Sequence, residues 1–239
     1  MHPTRDSEFS RNSDRFDSGS DPYEPEVGSL PDADAGSAME TDTGTTIVGI
    51  VTDDAVVMAT DMRASLGGRV VSNKDVQKVE EIQPNAALTI SGSVGGAQSF
   101  IRTLRAESNL YETRRGEYMS IEALSTMASN LLRGGPFFRV APLLGGFDDE
   151  GGHVYSLDPS GSSLSDNYSA QGSGMPYALG VLESEFEEGL STEDGKRIAA
   201  QSIKSASERD TASGNGVYLA EITRENVAIE GHKEFDDLL

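Results

Sequence analysis

The tripeptide Gly44-Thr45-Thr46 carries the most chemistry in this sequence. If the bond between Gly44 and Thr45 is cut, Thr45 holds a hydroxyl and a free α-amine on one residue. An α-amine titrates near pH ~7.7–8.0, so a useful fraction is neutral at pH 7. A neutral amine beside a hydroxyl is a general base built into its own nucleophile. The β-methyl of threonine restricts the rotamers of that hydroxyl, and Gly44 allows a close backbone approach before the cut. Such chemistry needs neither cysteine, of which there is none, nor histidine, of which there are three: His2, His153 and His232. Taken alone, Gly-Thr-Thr also reads as a glycine at a strand entrance; its surroundings decide the matter.

Ahead of Thr45 the chain is rich in Ser, Asp, Gly, Pro and Glu and poor in large apolar residues. Such a segment cannot bury enough surface to offset its ordering entropy, so residues 1–44 are expected to be a disordered acidic leader. From Thr45 the pattern changes. "TTIVGIVT" and "AVVMATD" read as two strands joined at Asp53-Asp54. "GRVVSN" reads as a short third strand and "AALTIS" as a strand buried on both faces. "GSVGGAQ" turns the chain into a helix with Ala97, Phe100, Ile101 and Leu104 on one face, and a second helix carries Ile121, Leu124, Ala128 and Leu131. "RVAPLLGGFD" and "GHVYSLDP" form a hairpin, and "SSLSDNYSAQ" one further strand. "MPYALGVLESEFEEG" is helical, a capping box at Ser191 and Asp194 opens a fourth helix, and "GVYLAEIT" and "NVAIEG" close the chain as strands.

Strands, two helices, strands, two helices, strands: this grouping argues against a doubly wound parallel sheet. It fits an α+β fold, a four-layer αββα sandwich of two antiparallel sheets flanked by helices. The catalytic domain is expected over 45–231, with an acidic tail at 232–239.

"TGTTIVGIVTDDAVVMATDMRAS" resembles the mature start of proteasome β subunits, and "LGGFDDEGGHVYSLDPSGS", "QGSG" and "SERDTASGNG" continue the likeness in order. It covers nearly all of residues 43–231 and is nearest to the archaeal type, whose fold is the αββα N-terminal-nucleophile hydrolase sandwich. By this resemblance Thr45 matches the nucleophile, freed by autocatalytic removal of the leader after Gly44. Asp61 matches the buried acid, and Lys78 the lysine near the nucleophile. The loop before Lys78 is one residue longer than in many relatives, which favours Lys78 over Lys74. Ser173, Asp210 and Ser213 match the residues supporting the threonine amine, and Gly92 the oxyanion donor. Ala64, Ile90 and Val94 match the lining of the substrate pocket, small and apolar, which implies cleavage after apolar residues. Where relatives often carry an acid after the oxyanion glycine, this chain has Gly95-Gly96.

The resemblance implies a threonine endopeptidase made as a precursor and assembled as the β subunit of a 20S proteasome core particle. Its partners would be other β subunits in a heptameric ring, a ring of α subunits, an ATPase regulatory cap and unfolded protein substrates. Two other readings are a non-catalytic structural subunit of the same ring and a small-molecule amidase with N-terminal threonine chemistry.

The bulk numbers agree. The formal net charge is −21, with eleven acids and three arginines in residues 1–44. Such a surface repels nucleic acid. Only five of the nineteen basic residues are lysine, and dense acidity with few lysines suits a high-salt environment, where screening is strong. No histidine has an HxxxH partner and there is no cysteine, so no metal or other cofactor is expected. No apolar run approaches the ~20 residues of a membrane span, and no secretory signal begins the chain; a cytoplasmic protein is expected.

Overall fold

The computed structural model describes residues 44–239 other than Phe138 and Asp237. The leader expected over 1–44 therefore lies outside the described residues, apart from Gly44.

Among the described residues twelve strands and four helices follow in the order β1 (Thr46–Val51), β2 (Val56–Asp61), β3 (Ala64–Leu66), β4 (Val70–Asn73), β5 (Val79–Gln83), β6 (Ala86–Thr89), α1 (Val94–Arg115), α2 (Ile121–Gly134), β7 (Leu143–Asp148), β8 (Gly151–Leu157), β9 (Ser163–Asp166), β10 (Tyr168–Gly172), α3 (Met175–Glu185), α4 (Thr192–Arg209), β11 (Val217–Ile222) and β12 (Val227–His232). One five-stranded sheet runs β10-β1-β2-β11-β12 and the other β5-β6-β7-β8-β9, with every neighbouring pair antiparallel. The strands alternate their side chains between two buried faces, which divides the core into three apolar layers. Ile47, Met58, Ala220 and Ile222 of the first sheet meet Ala87, Leu143 and Val154 of the second. Leu88 and Leu144, on the outer face of the second sheet, pack against Phe100, Leu104, Leu124 and Leu132 of α1 and α2. Val48, Val57 and Leu219, on the outer face of the first, pack against Leu182, Ile198 and Ile203 of α3 and α4. Two sheets face to face between two helix pairs make the expected four layers.

Local chemistry fixes the helix ends. Ser93, Ser120 and Ser191 cap α1, α2 and α4, each accepting a backbone N–H with its hydroxyl. Asp148 adds a second acceptor at the start of α2, taking the Ile121 N–H at 3.0 Å. Gly116 ends α1 in the left-handed region at φ 76°.

The sequence reading needs correcting in several places. The single strand expected over "SSLSDNYSAQ" is two: β9 pairs with β8 in one sheet and β10 pairs with β1 in the other. The change of sheet happens at Asn167, whose carbonyl accepts from Val51 N at 2.8 Å. β5 was not anticipated, because Glu80 and Glu81 interrupt its apolar character. On α2 it is Leu132 that is buried with Ile121, Leu124 and Ala128, and Leu131 is only partly buried. The third helix stops at Glu185 and does not reach "FEEG". "GRVVSN" supplies β4, whose four residues are exposed and which pairs with β3 in a two-stranded ribbon. Of the tail at 232–239, His232 closes β12, and Phe235 and Leu238 pack against the α3–α4 core layer.

Candidate active site

Thr45 stands immediately before β1, and its position follows from pairing on both sides. β1 lies between β10 and β2, with Thr46 opposite Gly172 and Ile47 opposite Thr60. The residue ahead of the strand is thereby held at the end of β2, where Asp61 is the last residue. Lys78 enters from the turn before β5, anchored through its carbonyl to Ile90 N at 2.9 Å.

The three side chains converge. Lys78 Nζ donates to Thr45 Oγ1 at 2.5 Å and to Asp61 Oδ1 at 2.6 Å, while Thr45 Oγ1 donates to Asp61 Oδ1 at 2.8 Å. All three residues are buried. Asp61 also accepts the backbone N–H groups of Thr46 at 3.0 Å, Arg63 at 2.9 Å and Gly214 at 3.0 Å. These donors satisfy the oxygens of a carboxylate that is out of contact with water. Burial pushes the Lys78 ammonium below its ordinary pKa, and the carboxylates of Asp61 and Asp210 offset part of that fall.

A second cluster lies on the other side of the Thr45 peptide. Ser173 Oγ and Ser213 Oγ both donate to Asp210 Oδ2 at 2.6 Å. Ser173 Oγ also reaches the Thr45 carbonyl at 3.4 Å, and Ser213 Oγ lies 2.7 Å from Thr46 Oγ1. Asp210 caps the end of α4 and so ties this cluster to the helix layer.

Gly44 has no room for a side chain: a Cβ built there would lie 2.2 Å from Ala212 Cβ and 2.6 Å from Ser173 Oγ. Gly92 has φ 100°, and a Cβ there would lie 1.8 Å from the Arg139 carbonyl oxygen. Glycine is therefore required at both positions, at the first by space and at the second by backbone conformation as well.

A cleft of about 340 Å³ opens beside Thr45. Gly44, Lys78 and Gly92 line it, as do Ala64, Ile90 and Val94, so the three expected pocket residues share one cavity with the threonine. Ser173, Asp210 and Ser213 lie outside its lining. Sequence reasoning did not single out Thr46, Arg63 or Gly214. Arg63 binds Asn215 Oδ1 and the Thr211 carbonyl, each at 2.9 Å, joining the end of β2 to the loop that carries Ser213. The run "RDTASGNG" marked that loop, but nothing in it indicated that Gly214 N would serve Asp61. Among the described residues no group of three or more His, Cys, Asp or Glu could hold a metal ion.

The layering, with a buried threonine at the mouth of a central strand, is that of the N-terminal-nucleophile hydrolase sandwich. Residues 41–222 match the family described as Proteasome subunit, and the chain belongs to it. It is 70% identical over 242 residues to a protein named proteasome subunit beta of Halobacterium salinarum, with the whole of both chains covered. To the proteasome subunit beta of Natrialba magadii it is 58% identical over 240 residues, 99% of each chain. To the proteasome subunit beta 1 of Haloterrigena turkmenica it is 59% identical over 240 residues, again 99% of each.

Proposed function

We propose that the chain is the catalytic β subunit of a proteasome core, a threonine endopeptidase whose nucleophile is Thr45 Oγ1. The observation that carries this reading is the contact of that oxygen with Lys78 Nζ at 2.5 Å and Asp61 Oδ1 at 2.8 Å. A structural subunit needs no lysine and aspartate buried against a threonine hydroxyl, since burying such charges is costly.

The first reaction is on the chain itself. Thr45 Oγ1 attacks the Gly44 carbonyl carbon, the bond to Thr45 N breaks, and the nitrogen takes the hydroxyl proton. Water then hydrolyses the resulting ester, releasing the leader as a carboxylate and leaving a free α-amine. In the mature site that amine takes the Oγ1 proton as the oxygen attacks a substrate carbonyl. The Lys78 charge favours the deprotonated oxygen, and Asp61 keeps Lys78 charged and in place. Ser173, Asp210 and Ser213 orient the amine. The Gly92 N–H stabilises the oxyanion, a contribution typically of ~10²–10³ in rate. Ala64, Ile90 and Val94 favour an apolar residue before the cut bond.

Family membership supports an assembly with other β subunits, proposed here as a heptameric ring stacked on a ring of α subunits. It would work with an ATPase cap on unfolded polypeptides in the cytoplasm. Among the described residues no helix is long and apolar enough to cross a membrane. The likeness to proteins named proteasome subunit beta favours this reading over a small-molecule amidase.

Thr45→Ala tests the assignment. The variant is expected to assemble, keep its leader and hydrolyse no peptide; retained hydrolysis would overturn it.

A further inference from the structure

Two clusters flank Thr45, and one residue touches both. Thr46, the first residue of β1, is fully buried. Its backbone N–H donates to Asp61 Oδ1 at 3.0 Å, on the Lys78 side. Its Oγ1 lies 2.7 Å from Ser213 Oγ, on the Asp210 side. Ser213 leads directly into Gly214, whose N–H donates to the other oxygen of Asp61, Oδ2, at 3.0 Å. Thr46 and the pair Ser213-Gly214 are therefore joined twice, once through their hydroxyls and once through the Asp61 carboxylate.

A count of protons gives the hydroxyl link a direction. A serine or threonine hydroxyl has one proton to give and lone pairs with which to accept. Ser213 gives its proton to Asp210 Oδ2 at 2.6 Å, and Ser173 gives its own to the same oxygen at 2.6 Å. Ser213 therefore meets Thr46 as an acceptor, and the donor is Thr46 Oγ1. The result is a run of hydrogen bonds from Thr46 to Ser213 to Asp210, in which each polarises the next. Solvent does not compete for it. Thr46 and Ser213 are both 0% exposed, and a Cβ built on Gly174 would lie 2.0 Å from Thr46 Oγ1. Without the Thr46 proton, Ser213 Oγ is a buried acceptor left short of a partner, and its bond to Asp210 alone sets its rotamer.

We propose that the Thr46 hydroxyl is a positioning group for hydrolysis at Thr45. It clips the 210–214 loop to β1. On one side of the nucleophile this fixes Ser213 and Asp210; on the other it keeps the Gly214 N–H on Asp61. This role rests on the reading of Thr45 as nucleophile and of Ser213 and Asp210 as groups that orient its amine, and Thr46 acts only through them.

The test uses assembled particles made from the full chain and a fluorogenic peptide with leucine before the cut bond. Thr46→Ala, Thr46→Val and Thr46→Ser are compared with wild type, and Thr46→Ala is also combined with Ser213→Ala. Alanine removes the hydroxyl and valine puts a methyl group in its place. Both should lower kcat about tenfold, the scale of one buried hydrogen bond, and leave KM within about twofold of wild type. Should one of the two fail to assemble, the other reads the same split. Serine keeps the hydroxyl and should hold kcat within about twofold. In particles that already carry Ser213→Ala, Thr46→Ala should cost nothing more, because the group it acts through is gone. Wild-type kcat in either hydroxyl-free variant would overturn the proposal, and so would a loss confined to KM. A kcat as low with serine as with alanine would assign the effect to packing of the methyl group and overturn it too. So would a double variant whose loss is the product of the two single losses. Retained hydrolysis by Thr45→Ala would instead overturn the nucleophile, so the two failures are distinguishable.

Discussion

Replacing Gly44 by alanine puts one methyl group where the fold leaves no space. The new Cβ would lie 2.2 Å from Ala212 Cβ and 2.6 Å from Ser173 Oγ, whereas carbon atoms pack at about 3.5–4.0 Å. Either the backbone at the Gly44–Thr45 bond retreats by about 1.3 Å or more, or the Ala212 loop does. Neither escape is neutral. The loop carries Asp210 and Ser213, and Ser173 is bonded to Asp210 at 2.6 Å. Overpacking of this kind costs about 1–3 kcal/mol, which a domain of this size survives. A displacement of about 1 Å at reacting atoms, however, lowers a rate by about 10²-fold. Gly44→Ala is therefore expected to fold and assemble but to lose its leader about 10²-fold more slowly, read by intact mass over time in assembled particles. The defect should be confined to processing, because in the proposed reaction residue 44 leaves with the leader. A chain expressed to begin at Thr45 should hydrolyse peptides normally. Leader loss at the wild-type rate with alanine at 44 would refute the argument from space.

Two further outcomes follow from the buried triad. Asp61→Asn removes the charge that matches Lys78 in a buried position, and breaking such a pair costs about 3–5 kcal/mol. Thermal melting should fall clearly and peptide hydrolysis should be lost; an unchanged melting temperature would contradict the role given to this carboxylate. Burial lowers the Lys78 pKa from 10.5, so the ammonium loses its proton below that pH and activity should decline there on the alkaline side. Lys78→Arg keeps a charge that does not titrate. Whatever activity it retains should lack that alkaline decline, and an unaltered pH profile would exclude Lys78 as its cause.

The sequence was most legible where one physical signal acted alone. β1 and β2 showed as β-branched runs around the Asp53-Asp54 turn, α1 as helical spacing, and the start of α4 as a capping box at Ser191 and Asp194. It was least legible where tertiary context decided. β5 carries two adjacent glutamates and is a strand because β6 pairs with it. β9 and β10 share one polar run, and only the facing sheets divide it at Asn167. The candidate site divides in the same way. Thr45 announced itself through the Gly-Thr junction, and the family likeness pointed to Asp61 and Lys78. The donors that hold Asp61 are backbone N–H groups, those of Thr46, Arg63 and Gly214. Backbone donors leave no mark in residue identity, so they emerge only once the strands are placed.

The most direct measurement is N-terminal sequencing of the chain in purified, peptide-hydrolysing particles. The account predicts a single new terminus beginning Thr45-Thr46-Ile47. Active particles whose chain starts at any other residue, or still carries residues 1–44, would contradict it.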